Sequence, residues 1–130
     1  MAKSYYQRAH GIVLTCALNN KNSFYNLNNW LNSINENTQE DSIQLIIVAN
    51  KCDLITDREV SKQDIENKAK EMNVQYFETS AKENINLEDA FETIINKVYM
   101  NVYNNKPRGF SIADTGNDEV QFPNKRKCCY

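Results

Sequence analysis

Three short strand-like runs recur along the chain. They extend from Gly11 to Leu18, from Gln44 to Ala49 and from Val74 to Phe77. In the first run Ile12, Val13 and Leu14 are consecutive apolar residues, a pattern typical of a parallel strand that is buried on both faces. We therefore predict three strands, separated by longer segments in which apolar residues recur at a different spacing.

Those longer segments place apolar residues three and four positions apart, which is helical spacing. The first helix is predicted from Ser23 to about Ile34. The second begins at the capping box Ser61-x-x-Asp64, and the third begins after Asn86. The residues that form the apolar faces are Phe24, Leu27, Leu31, Ile34, Ile65, Ala69, Met72, Leu87, Ala90, Phe91, Ile94, Ile95, Val98 and Val102. Strands that alternate with helices of this length predict an α/β fold built from parallel βαβ units.

Composition is consistent with one globular domain. The 130 residues are 41% hydrophobic and 25% charged, which is enough for a single modest core. The net charge of −2 argues against a nucleic-acid partner, because duplex binding needs a basic face. No apolar stretch approaches the length of a membrane span, and the N-terminus lacks the hydrophobic region of a signal peptide. We therefore do not expect secretion.

Candidate chemistry lies where the second and third runs end. Asn50-Lys51-Cys52-Asp53 directly follows the second run, and Glu78-Thr79-Ser80-Ala81-Lys82 follows the third. Ionised Asp53 offers two acceptor oxygens that match the paired N1–H and N2–H₂ donors of guanine, which adenine lacks. Small residues in the second segment would let a backbone amide approach the base. The alternative is that Asn50 and Asp53 only cap a turn.

Together these segments resemble the two base-reading motifs of Ras-superfamily small GTPases. Five stretches are similar to Rab proteins in particular, namely Ser4 to Leu14, Ser23 to Leu31, Asn50 to Leu54, Arg58 to Ser61 and Tyr76 to Lys82. The Rab spacing is kept from Ser4 to Val98, so the chain is identified as a member of the Rab family. The resemblance implies guanine-nucleotide binding and regulation of vesicle-mediated transport, with GTP hydrolysis as the activity of the family.

The resemblance also implies a role for each residue of the guanine site. Asp53 accepts hydrogen bonds from guanine N1 and N2, Asn50 ties the loop together near N7, and Ser80 steadies the second loop. The remaining contacts are the Ala81 backbone N–H to guanine O6 and the aliphatic stems of Lys51 and Lys82 over the ring plane. None of these groups would touch a phosphate, so no catalytic residue is expected among them.

Phosphate-binding motifs are missing from the 130 residues. The three glycines are Gly11, Gly109 and Gly116, and neither a Gly-Lys-Ser/Thr nor an Asp-x-x-Gly-Gln segment occurs. By resemblance, the P-loop, the Mg²⁺ ligands and the water-positioning Gln would lie upstream of Met1. We therefore expect residues 1–104 to be the C-terminal half of a Rab domain, without P-loop, switch I or metal ligands, and with three of the six family strands. The catalytic status of this chain is left open.

Loss of the phosphate contacts should weaken nucleotide binding severely. Guanine has about 11 non-hydrogen atoms, and about 0.3 kcal/mol for each gives about 3 kcal/mol, which corresponds to millimolar affinity or weaker. Binding of GTP or GDP is accordingly expected to be weak or absent in this chain.

Residues 105–130 have the composition of a flexible tail that ends in Cys128 and Cys129, just after Lys125-Arg126-Lys127. This ending resembles the geranylgeranylated double cysteine of Rab proteins. The resemblance implies membrane attachment through the prenylated tail, Rab escort, GDI and effector proteins as partners, and a peripheral position on the cytosolic face of an endomembrane. The alternative is that Cys-Cys-Tyr is an incidental ending.

A second class of function stays open at this point. The chain could instead be a nucleotide-independent, lipid-anchored interaction module, or an inert fragment from an incomplete gene model. Titration with guanine nucleotide separates the GTPase hypothesis from both, because neither alternative requires a base site.

Overall fold

The computed structural model describes Tyr6 and residues 9–38 and 43–104. Within these residues strands and helices alternate in the order β1 (Gly11–Ala17), α1 (Lys21–Asn37), β2 (Gln44–Asn50), α2 (Lys62–Glu71), β3 (Gln75–Glu78) and α3 (Leu87–Asn104). The three strands form one parallel sheet in the order β1-β2-β3. The predicted α/β class with three parallel strands is therefore confirmed.

The central strand β2 is covered on both faces, as its uninterrupted apolar run predicts. On one face, Ile47 and Ala49 belong to a core that α1 and α2 complete. On the opposite face, Ile46 and Val48 pack against Ala90 and Ile94 of α3. The buried residues on the first face are Leu14, Cys16, Leu18, Phe24, Leu27, Ile34, Ile47, Ala49, Val60, Ile65 and Ala69.

The beginnings of α1 and α2 are set by side-chain caps. Helix α1 begins at Lys21, two residues before the predicted Ser23, because Asn20 Oδ1 accepts a hydrogen bond from the Ser23 N–H at 3.0 Å. The capping box predicted for α2 is confirmed. Ser61 Oγ accepts from the Asp64 N–H at 3.1 Å, and Asp64 Oδ2 accepts from the Ser61 N–H at 3.1 Å.

Helix α3 buries only part of its predicted apolar stripe. Ala90 and Ile94 are buried, whereas Phe91 is 54% exposed and Ile95 is 62% exposed. Lys97 lines a surface groove together with Phe77 of β3, so this flank of the helix faces β3. Helical spacing places Phe91 and Ile95 on the opposite flank, where more than half of each side chain is exposed.

Strand β1 is an edge of the described sheet. The His10 carbonyl accepts from the Gln44 N–H, and the Leu18 N–H donates to the Asn50 carbonyl, each at 2.9 Å. Even-numbered positions of β1 therefore direct their backbone groups toward β2, and Val13 and Thr15 direct theirs away from the sheet. Within residues 9–38 and 43–104, β1 pairs only with β2.

None of the described helices combines the length and the apolar character that a membrane span requires.

Candidate base-binding site

Two loops at the carboxyl ends of β2 and β3 form the candidate site. Because the two strands are parallel neighbours, their carboxyl ends lie at the same edge of the sheet, where open α/β sheets bind ligands. The loops are joined through their backbones. The Thr79 N–H donates to the Ala49 carbonyl, and the Cys52 N–H donates to the Thr79 carbonyl, each at 2.9 Å. The two segments selected from the sequence are thus parts of one surface.

Asn50 holds both loops with a single side-chain oxygen. Its Oδ1 accepts from the Lys51 N–H at 2.8 Å, from the Ala81 N–H at 3.1 Å and from Thr79 Oγ1 at 3.4 Å. Lys51 has a left-handed φ of 67°, so the loop turns sharply directly after the strand. The Asn50 amide nitrogen Nδ2 makes no hydrogen bond to a described residue and is left as a donor.

The Ala81 N–H has a protein acceptor in this structure. It donates to Asn50 Oδ1 at 3.1 Å. A hydrogen bond from Ala81 to guanine O6, the role that the resemblance implies, therefore requires Asn50 to share or release this proton.

Ser80 and Asp53 make a short hydrogen bond between the loops. Ser80 is completely buried, and its hydroxyl donates to Asp53 Oδ1 at 2.6 Å while accepting from the Glu83 N–H at 3.1 Å. The Ser80 hydroxyl is the main cause of a lowered pKa at Asp53, and the positive charges of Lys82 and Lys51 lower that pKa further. Asp53 is therefore a carboxylate at neutral pH, and its Oδ2 accepts no hydrogen bond from another described residue.

The two lysines flank the carboxylate at the exposed rim of the site. Lys51 follows Asn50 directly, and Lys82 Nζ lies 3.5 Å from Glu83 Oε1. The structure thus brings together all six residues of the predicted guanine site, Asn50, Lys51, Asp53, Ser80, Ala81 and Lys82. Cys128 and Cys129, the predicted prenylation sites, lie outside the described residues.

Two contacts of this site could not be selected from the sequence. Arg58 donates to both carboxylate oxygens of Glu78, at 2.6 Å and 3.1 Å, and Asn86 Nδ2 donates to the Glu78 carbonyl at 2.8 Å. The pairing of Arg58 with Glu78 spans 20 positions, and nothing in a single sequence assigns one charge to the other. Only the parallel packing of β2 and β3 brings them together.

The donor set suits a purine base and does not suit a metal. Among the residues that the structure describes, no three His, Cys, Asp or Glu side chains converge on one point. Mg²⁺ prefers octahedral oxygen coordination that includes carboxylates, so these residues do not fit a magnesium site. The loops instead present one carboxylate, one amide and one backbone N–H close together.

Comparison with known proteins gives consistent results. The sequence model of the Ras family matches residues 1–100. The chain is 37% identical over 128 residues to the Ras-related protein Rab-10 of Diplobatis ommata, covering 97% of this chain and 62% of that protein. It is 38% identical over 112 residues to Rab-8A of Mus musculus, covering 83% of this chain and 54% of that protein.

A third relative, Rab-13 of Rattus norvegicus, is 34% identical over 97 residues, which cover 75% of this chain and 47% of the relative. The chain thus spans between 47% and 62% of the length of these curated relatives.

Proposed function

Because this chain belongs to the Ras family and is a Rab-type member of it, we propose that its two joined loops recognise the guanine base of GTP or GDP. The role that we propose for it is regulation of vesicle-mediated transport. One observation carries the proposal. An ionised carboxylate with an oxygen available to a ligand lies beside the amide of Asn50 and the backbone N–H of Ala81.

These three groups match guanine atom by atom. The two carboxylate oxygens of Asp53 can accept from guanine N1–H and N2–H₂, and Asn50 Nδ2 can donate to N7. The Ala81 N–H can donate to O6 when Asn50 Oδ1 shares or releases it. Adenine offers an acceptor at N1 and a donor at the position of O6, so it would face both Asp53 and Ala81 with the wrong group. Leaving a buried or charged partner unpaired costs more than a made bond contributes, which favours guanine.

Phosphate chemistry is proposed only for a protein that also supplies a P-loop, magnesium ligands and a water-positioning residue. None of the corresponding motifs occurs in the 130 residues, and the described residues do not fit Mg²⁺. The part that we propose for the described residues is to bind and orient the base. GTP hydrolysis remains the activity expected of the family and is assigned to none of these side chains.

Membrane attachment belongs to the same proposal. We propose that Cys128 and Cys129 carry prenyl groups and that the preceding basic residues add attraction to anionic lipid. The protein would then lie peripherally on the cytosolic face of an endomembrane and bind escort, GDI and effector proteins, as the Rab resemblance implies.

Titration of the 130-residue chain with GDP, with and without Mg²⁺, tests the base site. We expect amide resonances of both loops to shift with a dissociation constant in about the millimolar range, independent of Mg²⁺. Asp53→Ala should abolish the shifts, whereas Asp57→Ala, which removes an exposed carboxylate from the same loop, should not.

Two results would contradict this proposal. Absence of any saturable shift would favour the nucleotide-independent interaction module. Submicromolar, Mg²⁺-dependent binding would show that the chain holds phosphates as well, and the restriction to base recognition would be wrong.

A further inference from the structure

The ion pair between Arg58 and Glu78, called here the Arg58–Glu78 clamp, differs from the other ion pairs of the described residues. Those join residues of the same helix or adjacent residues, namely Lys68 with Glu71, Lys70 with Glu66 and Lys82 with Glu83. The Arg58–Glu78 clamp joins the loop after β2 to the end of β3. It is therefore the ion pair, among the described residues, that joins these two segments directly.

The geometry of the clamp is that of a rigid connection. Each guanidinium nitrogen Nη contacts a different oxygen of Glu78, and Nε donates to the Val60 carbonyl at 2.7 Å. The side chains are only 27% and 17% exposed. A forked pair of this kind fixes orientation as well as distance, in contrast to a solvated surface pair.

The clamp lies next to the base-reading groups. Arg58 belongs to the same loop as Asp53, and Glu78 precedes Thr79 and Ser80 directly. The backbone carbonyl of Glu78 also accepts from Asn86 Nδ2, so Glu78 anchors the second loop at its far end. A movement of Glu78 relative to Arg58 would therefore change the separation of Ser80 from Asp53.

We propose that Arg58 and Glu78 are positioning residues for base recognition. Their ion pair holds Ser80 and Asp53 in register, so that selectivity for the exocyclic amine of guanine depends on two side chains outside the base-reading set. This inference rests on the proposed base site, and it adds two residues on which the selectivity of that site depends.

Two variants, Arg58→Met and Glu78→Met, break the clamp with opposite changes of charge, and the Asp53 carboxyl can be titrated in each by NMR. If the clamp positions Ser80, both variants weaken the Ser80 hydrogen bond, and the pKa of Asp53 rises toward its ordinary value in both. Simple electrostatics predicts opposite directions, because one variant removes a positive charge and the other a negative one. Lys70→Met breaks the exposed pair with Glu66 and serves as the control, with no change expected.

A second readout uses the monophosphates GMP and IMP, which differ only in the exocyclic amine. The preference of the chain for GMP should fall by about tenfold in both clamp variants, the equivalent of one charge-assisted hydrogen bond, and should stay unchanged in Lys70→Met. The inference is wrong if the pKa of Asp53 stays constant or moves in opposite directions in the two variants. If the unsubstituted chain bound no GMP, the proposed function would fail, and the Asp53 titration would still decide whether the clamp positions Ser80.

Discussion

The Ser80 hydroxyl is held from two sides. It accepts from the Glu83 N–H at 3.1 Å, which directs its own proton toward Asp53 Oδ1 at 2.6 Å. A buried hydroxyl with both functions satisfied keeps one orientation, so the carboxylate that it contacts keeps one as well. At the scale of single residues, the base-reading group is therefore positioned before any ligand arrives.

Ser80→Ala should raise the pKa of Asp53 toward its ordinary value, because the hydroxyl is the main cause of the lowered pKa. A pKa lower in the folded than in the unfolded chain gives stability above the unfolded-state pKa, and this stability is lost as pH falls through the folded-state pKa. The variant should therefore lose more stability at neutral pH than in acid. Carboxyl NMR and urea unfolding at two pH values check both statements.

Ser33→Ala, a change within α1, is the matched control for Ser80→Ala and should leave the titration of Asp53 unaltered. An unchanged pKa in Ser80→Ala would show that the 2.6 Å contact does not govern this carboxylate.

Among the elements, the approach of α3 to β1 depends on a missing side chain. A Cβ placed on Gly11 would lie 2.7 Å from Val98 Cγ2 and 3.2 Å from Ile94 Cγ1. Glycine within a strand, here at its first position, can mark such a close approach. Because the Val98 side chain is branched at Cβ, it has little freedom to move aside.

Gly11→Ala should therefore destabilise the protein by about 1–3 kcal/mol through overpacking. Adding Val98→Ala removes the obstructing methyl groups, so Gly11→Ala should cost less in that background than in the unsubstituted chain. Urea unfolding of the four members of this double-mutant cycle measures the difference. Equal costs in both backgrounds would mean that α3 shifts freely on β1.

Strands and helices with a strong local sequence pattern were predictable from sequence. The residues at which they begin and end were less predictable. The run around Ile47 and the Ser61 capping box each specify their structure within a few residues. The early start of α1 depends on Asn20, whose side chain could equally have stabilised a turn. The exposure of Phe91 and Ile95 could not be read from periodicity, because periodicity shows which residues share a face and not what that face meets.

The same division holds for the site. The loops with Asn50, Asp53 and Ser80 could be selected because the resemblance marks each by its position after a strand. The Arg58–Glu78 clamp and the Ala81 to Asn50 hydrogen bond could not, since both depend on which strands become neighbours. A contact between residues that are 20 or more positions apart cannot be recognised from one sequence alone.

For the molecule as a whole, two features favour self-association: among the described residues β1 pairs on one edge only, and α3 carries exposed apolar side chains. Strand β1 contains neither a charged residue nor proline, the features that commonly protect an edge from pairing with another chain. Phe91 and Ile95 of α3 add exposed apolar surface. Self-association at the edge of β1 would interfere with nucleotide titrations, so we would make these titrations at low protein concentration.

Direct comparison of GMP with AMP at low protein concentration is the most direct test of guanine recognition by the two joined loops. We predict that GMP shifts the amide resonances of Lys51, Asp53, Ala81 and Lys82 in proportion to occupancy, and that AMP at equal concentration leaves them in place. Equal responses to the two nucleotides, or shifts confined to other parts of the chain, would contradict the account.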